Sequence, residues 1–219
     1  MERYTSRAII LSGGEPLENV RDITLPAHAL VIAADSGLDH ADGLGLTVDL
    51  VIGDMDSVDS STLAAAVERG SVTDRHPTDK DRTDLELAID AALERGARNI
   101  TVIGAYTGRL DHLLGAMSLF AATAPLVDEL IWSDGATDVI ACAQGRTVVI
   151  DGHPGDGVSL IPPGIDVVGV TTGGLRWRLD GATLPAGSTR GVSNIIETTP
   201  AWVSVDEGTL LIVHERTTA

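Results

Sequence analysis

At 219 residues the chain is long enough for one large domain or two small ones, with ample core. Its 43% hydrophobic content is ordinary for a globular protein, but 3% aromatics leave the core to Val, Ile, Leu and Ala. A net charge of −17 excludes the basic footprint of a nucleic-acid binder, and the lone Cys142 excludes an intrachain disulfide.

The first apolar run, Ala8 to Leu11, is too short for a signal-peptide core, and no later run approaches the ~18 residues of a membrane span. A cytoplasmic chain without membrane partners is expected, with Cys142 as a small buried hydrophobe. Ala8 to Leu11 reads as a buried strand entering the glycine turn Ser12-Gly13-Gly14, which is either a simple turn or a backbone cradle for phosphate. Leu30 to Ala34 is a second strand, ending at Asp35-Ser36-Gly37, and Leu50 to Ile52 a third. Ser60 to Arg69 reads as an Ala-rich helix. Thr83 to Glu86 fits a capping box opening a helix whose apolar face is Leu85, Ala88, Ile89, Ala92 and Leu93. Gly96 ends that helix, Asn99 to Ile103 makes a strand, Leu113 to Ala122 a helix, and Leu130 to Trp132 another apolar segment.

The densest chemistry lies between Asp35 and Asp84, which hold 11 of the 22 aspartates. An Asp-rich stretch in so acidic a chain is commonly a solvated face. Two features favour a site here. Gly53-Asp54-Met55-Asp56-Ser57 directly follows an apolar strand, and the carboxyl ends of strands are where open α/β sheets bind ligands. Thr78 to Asp84 contains Lys80, the only lysine of the chain, set between Asp79 and Asp81. Converging carboxylates repel one another unless a hard cation binds them, and oxygen ligands suit Mg²⁺. Further on, Arg109 offers a phosphate fork and Asp111 a first-turn acid. His112 is either a general base or a structural residue at a helix start.

From about Asp151 the texture changes to short Val/Thr/Ile/Leu runs between Gly, Pro and Asp turns. Expected strands are Thr147 to Ile150, Val158 to Ile161, Val167 to Thr171, Leu175 to Leu179, Asn194 to Thr198, Ala201 to Val205 and Leu210 to Val213. Such spacing predicts a sandwich or barrel. The expected division is an α/β domain over residues 1–145 and an all-β domain over residues 146–219.

Taken in order, Ala34-Asp35-Ser36-Gly37, Gly53 to Ser57, Asp79 to Asp84, Gly104 to His112, Gly174-Leu175-Arg176-Trp177 and Gly191-Val192-Ser193-Asn194 resemble the motifs of the thiamine pyrophosphokinase family. The resemblance runs over nearly the whole chain. It implies an α/β domain with a central, largely parallel, Rossmann-like sheet followed by a β-sandwich, working as a homodimer with thiamine near the subunit interface. The implied reaction moves a pyrophosphoryl group from ATP to the hydroxyl of thiamine. By motif, Asp54, Asp56, Asp79 and Asp84 would hold Mg²⁺ and, with Lys80, form the catalytic set. Asp35, Ser36, Gly37, Ser57, Arg109, Asp111 and His112 would belong to the ATP site. Trp177, Ser193 and Asn194 would face thiamine together with Lys80 and Asp84. Two alternatives keep part of this chemistry: a pyrophosphokinase acting on a hydroxymethylpterin, and a divalent-metal phosphohydrolase. A non-catalytic nucleotide or thiamine sensor would keep the pockets alone.

Overall fold

The structure, a computed structural model, describes residues 6–17, 23–106 and 108–217; Thr107, within the expected Gly104 to His112 segment, lies outside them. The chain forms two compact units: Met1–Ala116 with Val127–Gly135, and Met117–Leu126 with Ala136–Ala219. Among the described residues no helix is long and apolar enough to cross a membrane.

In the first unit, β1 (Arg7–Ser12), β2 (Leu30–Ala34), β3 (Leu50–Gly53), β4 (Val72–Arg75), β5 (Asn99–Ile103) and β6 (Glu129–Ser133) pair in the order β6-β5-β1-β2-β3-β4. All five pairings are parallel. Strands β2 and β3 are buried along their whole length, which is why they read as unbroken apolar runs. Strand β4, Val-Thr-Asp-Arg, is exposed throughout and was not expected. Its charged residues suit an edge strand and hide it from a search for apolar runs.

Helix α1 (Ser60–Glu68) is capped by Asp59, whose carboxylate accepts the N–H groups of Ser61 and Thr62. Helix α2 (Asp84–Glu94) is capped as its sequence predicts, the Thr83 hydroxyl accepting the Glu86 N–H at 3.2 Å. The buried face of α2 is Leu87, Ala88, Ile89, Ala91 and Ala92, so it is turned relative to the expected stripe, and Leu85 is only half-buried. Helix α3 (Leu110–Thr123) starts three residues before its expected Leu113 and keeps Asp111 in its first turn. After β2 the chain makes a tight 3-10 turn, Asp35–His40, pressed onto β1. A Cβ at Gly37 would lie 2.0 Å from the Leu11 carbonyl oxygen, so no other residue fits there without moving the backbone.

The second unit is antiparallel β. Strands β7 (Thr137–Ala143), β8 (Arg146–Ile150), β9 (Gly157–Ile161), β10 (Val167–Gly173), β11 (Ala182–Leu184), β12 (Asn194–Ile195), β13 (Ala201–Val205) and β14 (Thr209–Glu215) follow in order. They pair as β12-β9-β14-β7 and as β11-β10-β13-β8. Cys142, Val158, Leu160, Val170, Val203 and Ile212 are fully buried among them. Strand β7 was missed because its Ala and Cys residues lack a strand signature. The strand expected over Leu175 to Leu179 is reduced to one bridge, Leu175 with Ile196. Here a side chain replaces the neighbouring strand: Asn194 accepts the Trp177 N–H at 3.1 Å and donates to the Trp177 carbonyl at 2.8 Å. The strand expected over Asn194 to Thr198 ends at Ile195, since Glu197 and Thr198 turn their N–H groups to the Gly174 carbonyl.

A buried charge cluster fastens this unit. His214 of β14, 1% exposed, sets Nε2 3.0 Å from Asp156 Oδ2, and Asp138 of β7 lies 3.9 Å from Nδ1. Asp156 also accepts the N–H groups of His153 and Thr217. Burial would raise the Asp156 carboxyl, but these donors outweigh it and hold it at about 2 instead of 3.8. Burial alone would lower His214; Asp138 and Asp156 reverse the sign and raise it above 6.5. Asp156 therefore stabilises the fold above its unfolded value near 3.8 and loses that contribution as pH falls toward 2. His214 contributes below its unfolded value near 6.5 and loses it as pH rises through the higher folded value. Denaturant midpoints followed by circular dichroism should peak between those two values, 3.8 and 6.5, and His214→Leu should remove the alkaline decline.

Candidate active site

The site is built where β2 and β3 end. Gly53, at φ +141°, turns the chain out of the sheet, and a Cβ there would meet Asp84 Oδ1 at 2.9 Å and the Asp35 Cβ at 3.3 Å. Met55 follows at φ +61°, an unusual conformation for a side chain of its size. Its burial against Val51, Leu38 and Val48 holds the loop in that conformation. With Met55 directed inward, Asp54 is left half-buried and Asp56 exposed on either side of it. Asp54 Oδ1 accepts the Asp56 N–H at 3.2 Å, and the Ser57 hydroxyl donates to Asp56 Oδ1 at 3.0 Å.

Asp35 comes to this group from β2, also with a left-handed backbone, φ +48°. One carboxylate oxygen each from Asp35, Asp54 and Asp56 lie within 4.8 Å of one another. Asp35 Oδ1 is buried without a hydrogen bond. Burial pushes the Asp35 carboxyl upward; the Ser36 N–H opposes this, while Asp84 and Asp54 add to the rise. Asp54 behaves oppositely. The Asp56 N–H bond holds it below the usual carboxylate range, with Lys80 contributing. The three-carboxylate set, one residue of which also carries a buried oxygen without a hydrogen bond, fits a hard divalent cation.

Lys80 is the counter-charge. Its Nζ lies 3.3 Å from Asp54 Oδ2 and 3.0 Å from Asp84 Oδ1, and its side chain is only 13% exposed. Burial would lower its pKa; the contacts with Asp84 and Asp54 raise it overall, so the ammonium is firmly charged. Asp79 is exposed and supplies no oxygen to the three-carboxylate group. Asp35, expected at the nucleotide, is the member that group gains.

Beside the carboxylates lies a cavity of about 340 Å³, lined by the strand-end segments Ser12 to Gly14, Ala34 to Ser36 and Ala105-Tyr106. The sheet order reverses direction beside β1, where open α/β sheets form their crevice. The starts of two helices reach the same cavity: Thr83, Asp84 and Leu85 of α2, and Gly108, Arg109, His112 and Leu113 at α3. Helix N-termini and glycine turns present N–H groups to anions. Arg109 and Asp111 pair with each other in two contacts, at 3.1 and 2.5 Å, both well exposed. Sequence reasoning missed Tyr106 and Trp132, which complete the wall. Their rings are 5.2 Å apart, the Tyr106 hydroxyl donates to the Trp132 carbonyl, and the indole N–H donates to the Gly104 carbonyl at 2.8 Å. In a chain this poor in aromatics, two of them at strand ends were the available signal.

Of the residues expected to face thiamine, Lys80 and Asp84 belong to the carboxylate site of the first unit, whereas Trp177, Ser193 and Asn194 form their own cluster in the second. Ser193 is exposed at φ +64°, its N–H bonded to the Ser159 hydroxyl. Trp177 is 56% exposed, with the Arg176 guanidinium 5.7 Å from its ring centroid. Asn194 is buried, and its amide is spent on the backbone of Trp177 and Ile195. It orders the segment, and Trp177 and Ser193 present it to solvent.

Comparison with known proteins matches both halves. Residues 23–126 fit the model of the thiamin pyrophosphokinase catalytic domain, and residues 147–210 that of the thiamin pyrophosphokinase vitamin B1 binding domain. Thiamine pyrophosphokinase of Bacillus subtilis (strain 168) is 25% identical over 210 residues, 95% of this chain and 98% of that protein. The crystal structure of thiamine pyrophosphokinase from Bacillus subtilis superposes with a TM-score of 0.83 at 24% identity, covering 97% of this chain and all of that one. That of thiamin pyrophosphokinase from Geobacillus thermodenitrificans gives 0.79 at 27% identity, covering 97% and 99%. With its carboxylate loops inside the first matched model and its Ser193-Asn194 segment inside the second, the chain belongs to the thiamin pyrophosphokinase family.

Proposed function

We propose that this chain is a thiamine diphosphokinase: it transfers the pyrophosphoryl group of ATP to the hydroxyl of thiamine, giving thiamine diphosphate and AMP. The observation that carries the reading is the match of both family models, catalytic and vitamin-binding, to successive parts of one chain. The hydroxymethylpterin and phosphohydrolase alternatives find no support among the relatives. The all-parallel strand order of the first unit, reversing beside β1, supports a Rossmann-like domain. The working form is taken to be a cytoplasmic homodimer, as the family resemblance implies.

In the reaction the thiamine hydroxyl oxygen bonds to the β-phosphorus while the bridging bond to the α-phosphate breaks and AMP leaves. Transfers of this kind ask the protein for positioning and charge neutralisation more than covalent work. Asp35, Asp54 and Asp56 would hold Mg²⁺, with Asp84 close by; when bound, the ion neutralises charge on the phosphate oxygens. Lys80 sets a second positive charge between Asp54 and Asp84, where it can orient the transferring group. Ser36, Gly37 and Ser57 shape the strand-end turns around the polyphosphate. Arg109, with Asp111 and His112 beside it, and the glycine turn after β1 receive the rest of the nucleotide in the cavity. Trp177 and Ser193 face the acceptor, a cation for which an aromatic ring is a suitable surface.

Incubation of purified protein with Mg²⁺, ATP and thiamine should yield AMP and thiamine diphosphate in equal amounts. AMP without thiamine diphosphate would refute the acceptor. Asp54→Ala and Asp56→Ala should each lower kcat by about 100-fold or more while leaving the circular dichroism spectrum unchanged. Near-full activity with unaltered Mg²⁺ dependence would remove these residues from the metal site. Lys80→Met should leave Asp54 and Asp84 without their counter-charge and destabilise the metal-free protein by about 1–3 kcal/mol in denaturant titrations. Added Mg²⁺ should recover part of that loss.

A further inference from the structure

We infer that His214 and Asp156 are positioning residues for the acceptor-facing segment of the second unit, acting through the turn His153–Asp156 on the Ser193, Asn194 and Trp177 cluster. The inference rests on the reading of that cluster as the thiamine-facing surface.

Two sides of the same turn carry the argument. On one side, the Asp156 carboxylate is tied to the end of β14 by His214 Nε2 at 3.0 Å and by the Thr217 N–H at 2.9 Å. The Thr217 hydroxyl adds a bond to the Gly155 carbonyl at 3.0 Å. An ionised carboxylate only accepts, so Nε2 is the donor in the first contact. On the other side, the backbone of the turn is paired with the chain just after Asn194. Ile196 N–H donates to the Asp156 carbonyl, and Gly155 N–H to the Ile196 carbonyl, both at 2.9 Å. Ile195 in turn accepts the Arg176 N–H at 3.0 Å, and Asn194 holds both backbone groups of Trp177. The path from His214 to Trp177 thus runs by hydrogen bonds through Asp156 to Ile196, along two peptide units of backbone to Asn194, and by hydrogen bonds again to Trp177.

The packing leaves little slack. A Cβ at Gly152 would lie 2.6 Å from His214 Nε2, 2.7 Å from Ile196 Cδ1 and 3.0 Å from Asp156 Oδ2, so these three groups converge on one glycine. Strand β12 itself has only two paired residues, Asn194 with Val158 and Ile195 with Gly157. So short a strand cannot hold Ser193 in a left-handed conformation by ladder bonds alone. The groups facing His214 are Asp156 from the turn, Asp138 from β7 and Arg216 from its own strand end, with Asp151 acting on Arg216. Two carboxylates flank the imidazole and favour its protonated form, which grips Asp156 more tightly than the neutral ring.

The test is steady-state kinetics on full-length His214→Leu and His214→Gln, beside Ser193→Ala and Trp177→Ala. His214→Leu should raise the thiamine KM about tenfold, as loss of one charge-assisted hydrogen bond predicts, with the ATP KM and kcat at saturating thiamine little changed. His214→Gln, which keeps a donor near the Nε2 position, should recover most of this. In the wild type the thiamine KM should also rise with pH as His214 loses its proton, and that rise should vanish in His214→Gln. An unchanged thiamine KM in His214→Leu, or an equal fall in every parameter without rescue by Gln, overturns the positioning role. If Ser193→Ala and Trp177→Ala leave the thiamine KM unaltered, the acceptor surface itself has been misassigned, which is a separate failure.

Discussion

The repulsion among carboxylates gathered at the ends of β2 and β3 is the constraint on which the first unit depends. Asp35 and Asp54 bring oxygens within 4.8 Å of each other, and Asp84 stands close behind Gly53. At that separation, in a partly buried setting, two like charges repel by roughly 3 kcal/mol. The protein meets this in three ways visible in the geometry. Lys80 is inserted between Asp54 and Asp84, the Asp56 N–H is spent on Asp54, and Asp35 is pushed toward its protonated form. A divalent cation would complete what one lysine only partly supplies. The Asp35 oxygen left without a hydrogen bond is consistent with a group shaped for a cation.

Holding those side chains in place demands unusual backbone. Asp35 and Met55 both lie in the left-handed region, where a residue with a Cβ is strained by about 1–3 kcal/mol. The strain is sustained by burial: Met55 is anchored in the core, and Gly37 lets the turn after β2 press against the Leu11 carbonyl. The parallel sheet therefore acts as the platform, and its strand-end loops carry the carboxylates and Lys80. The three-carboxylate group adjoins the cavity, since Asp35 belongs to both, and Asp84, paired with Lys80, lines the cavity as well.

The second unit solves a different problem with similar means. Its Ser193 segment has almost no sheet to support it, so side chains substitute for strands: Asn194 braces Trp177, and Asp156 fastens the adjoining turn to β14. Buried polar groups of this kind are stable only when each bond is made, and Asp156 makes all of its own. The chemistry that defines the unit is thus positional. In this segment Asn194 is spent on backbone, while Trp177 and Ser193 remain exposed beside it.

Much of this was readable from local pattern. Apolar runs located β1, β2, β3, β5 and β6, Thr83 and Glu86 marked the start of α2, and Asp54 and Asp56 stood out because they follow a buried strand. Those features are encoded within a few residues, where periodicity and capping chemistry act. What local pattern could not convey were contacts between distant residues. That Asp35 joins Asp54 and Asp56, that Lys80 sits between Asp54 and Asp84, that Tyr106 meets Trp132, and that Asn194 erases a strand at Trp177 all depend on segments 17 to 26 residues apart coming together. The sequence alone determined the buried parallel strands, the start of α2 and which residue types reach the strand ends. Tertiary structure decided which of them meet, because a carboxylate's partner, burial and charge state are set by neighbours across the fold and not along the chain.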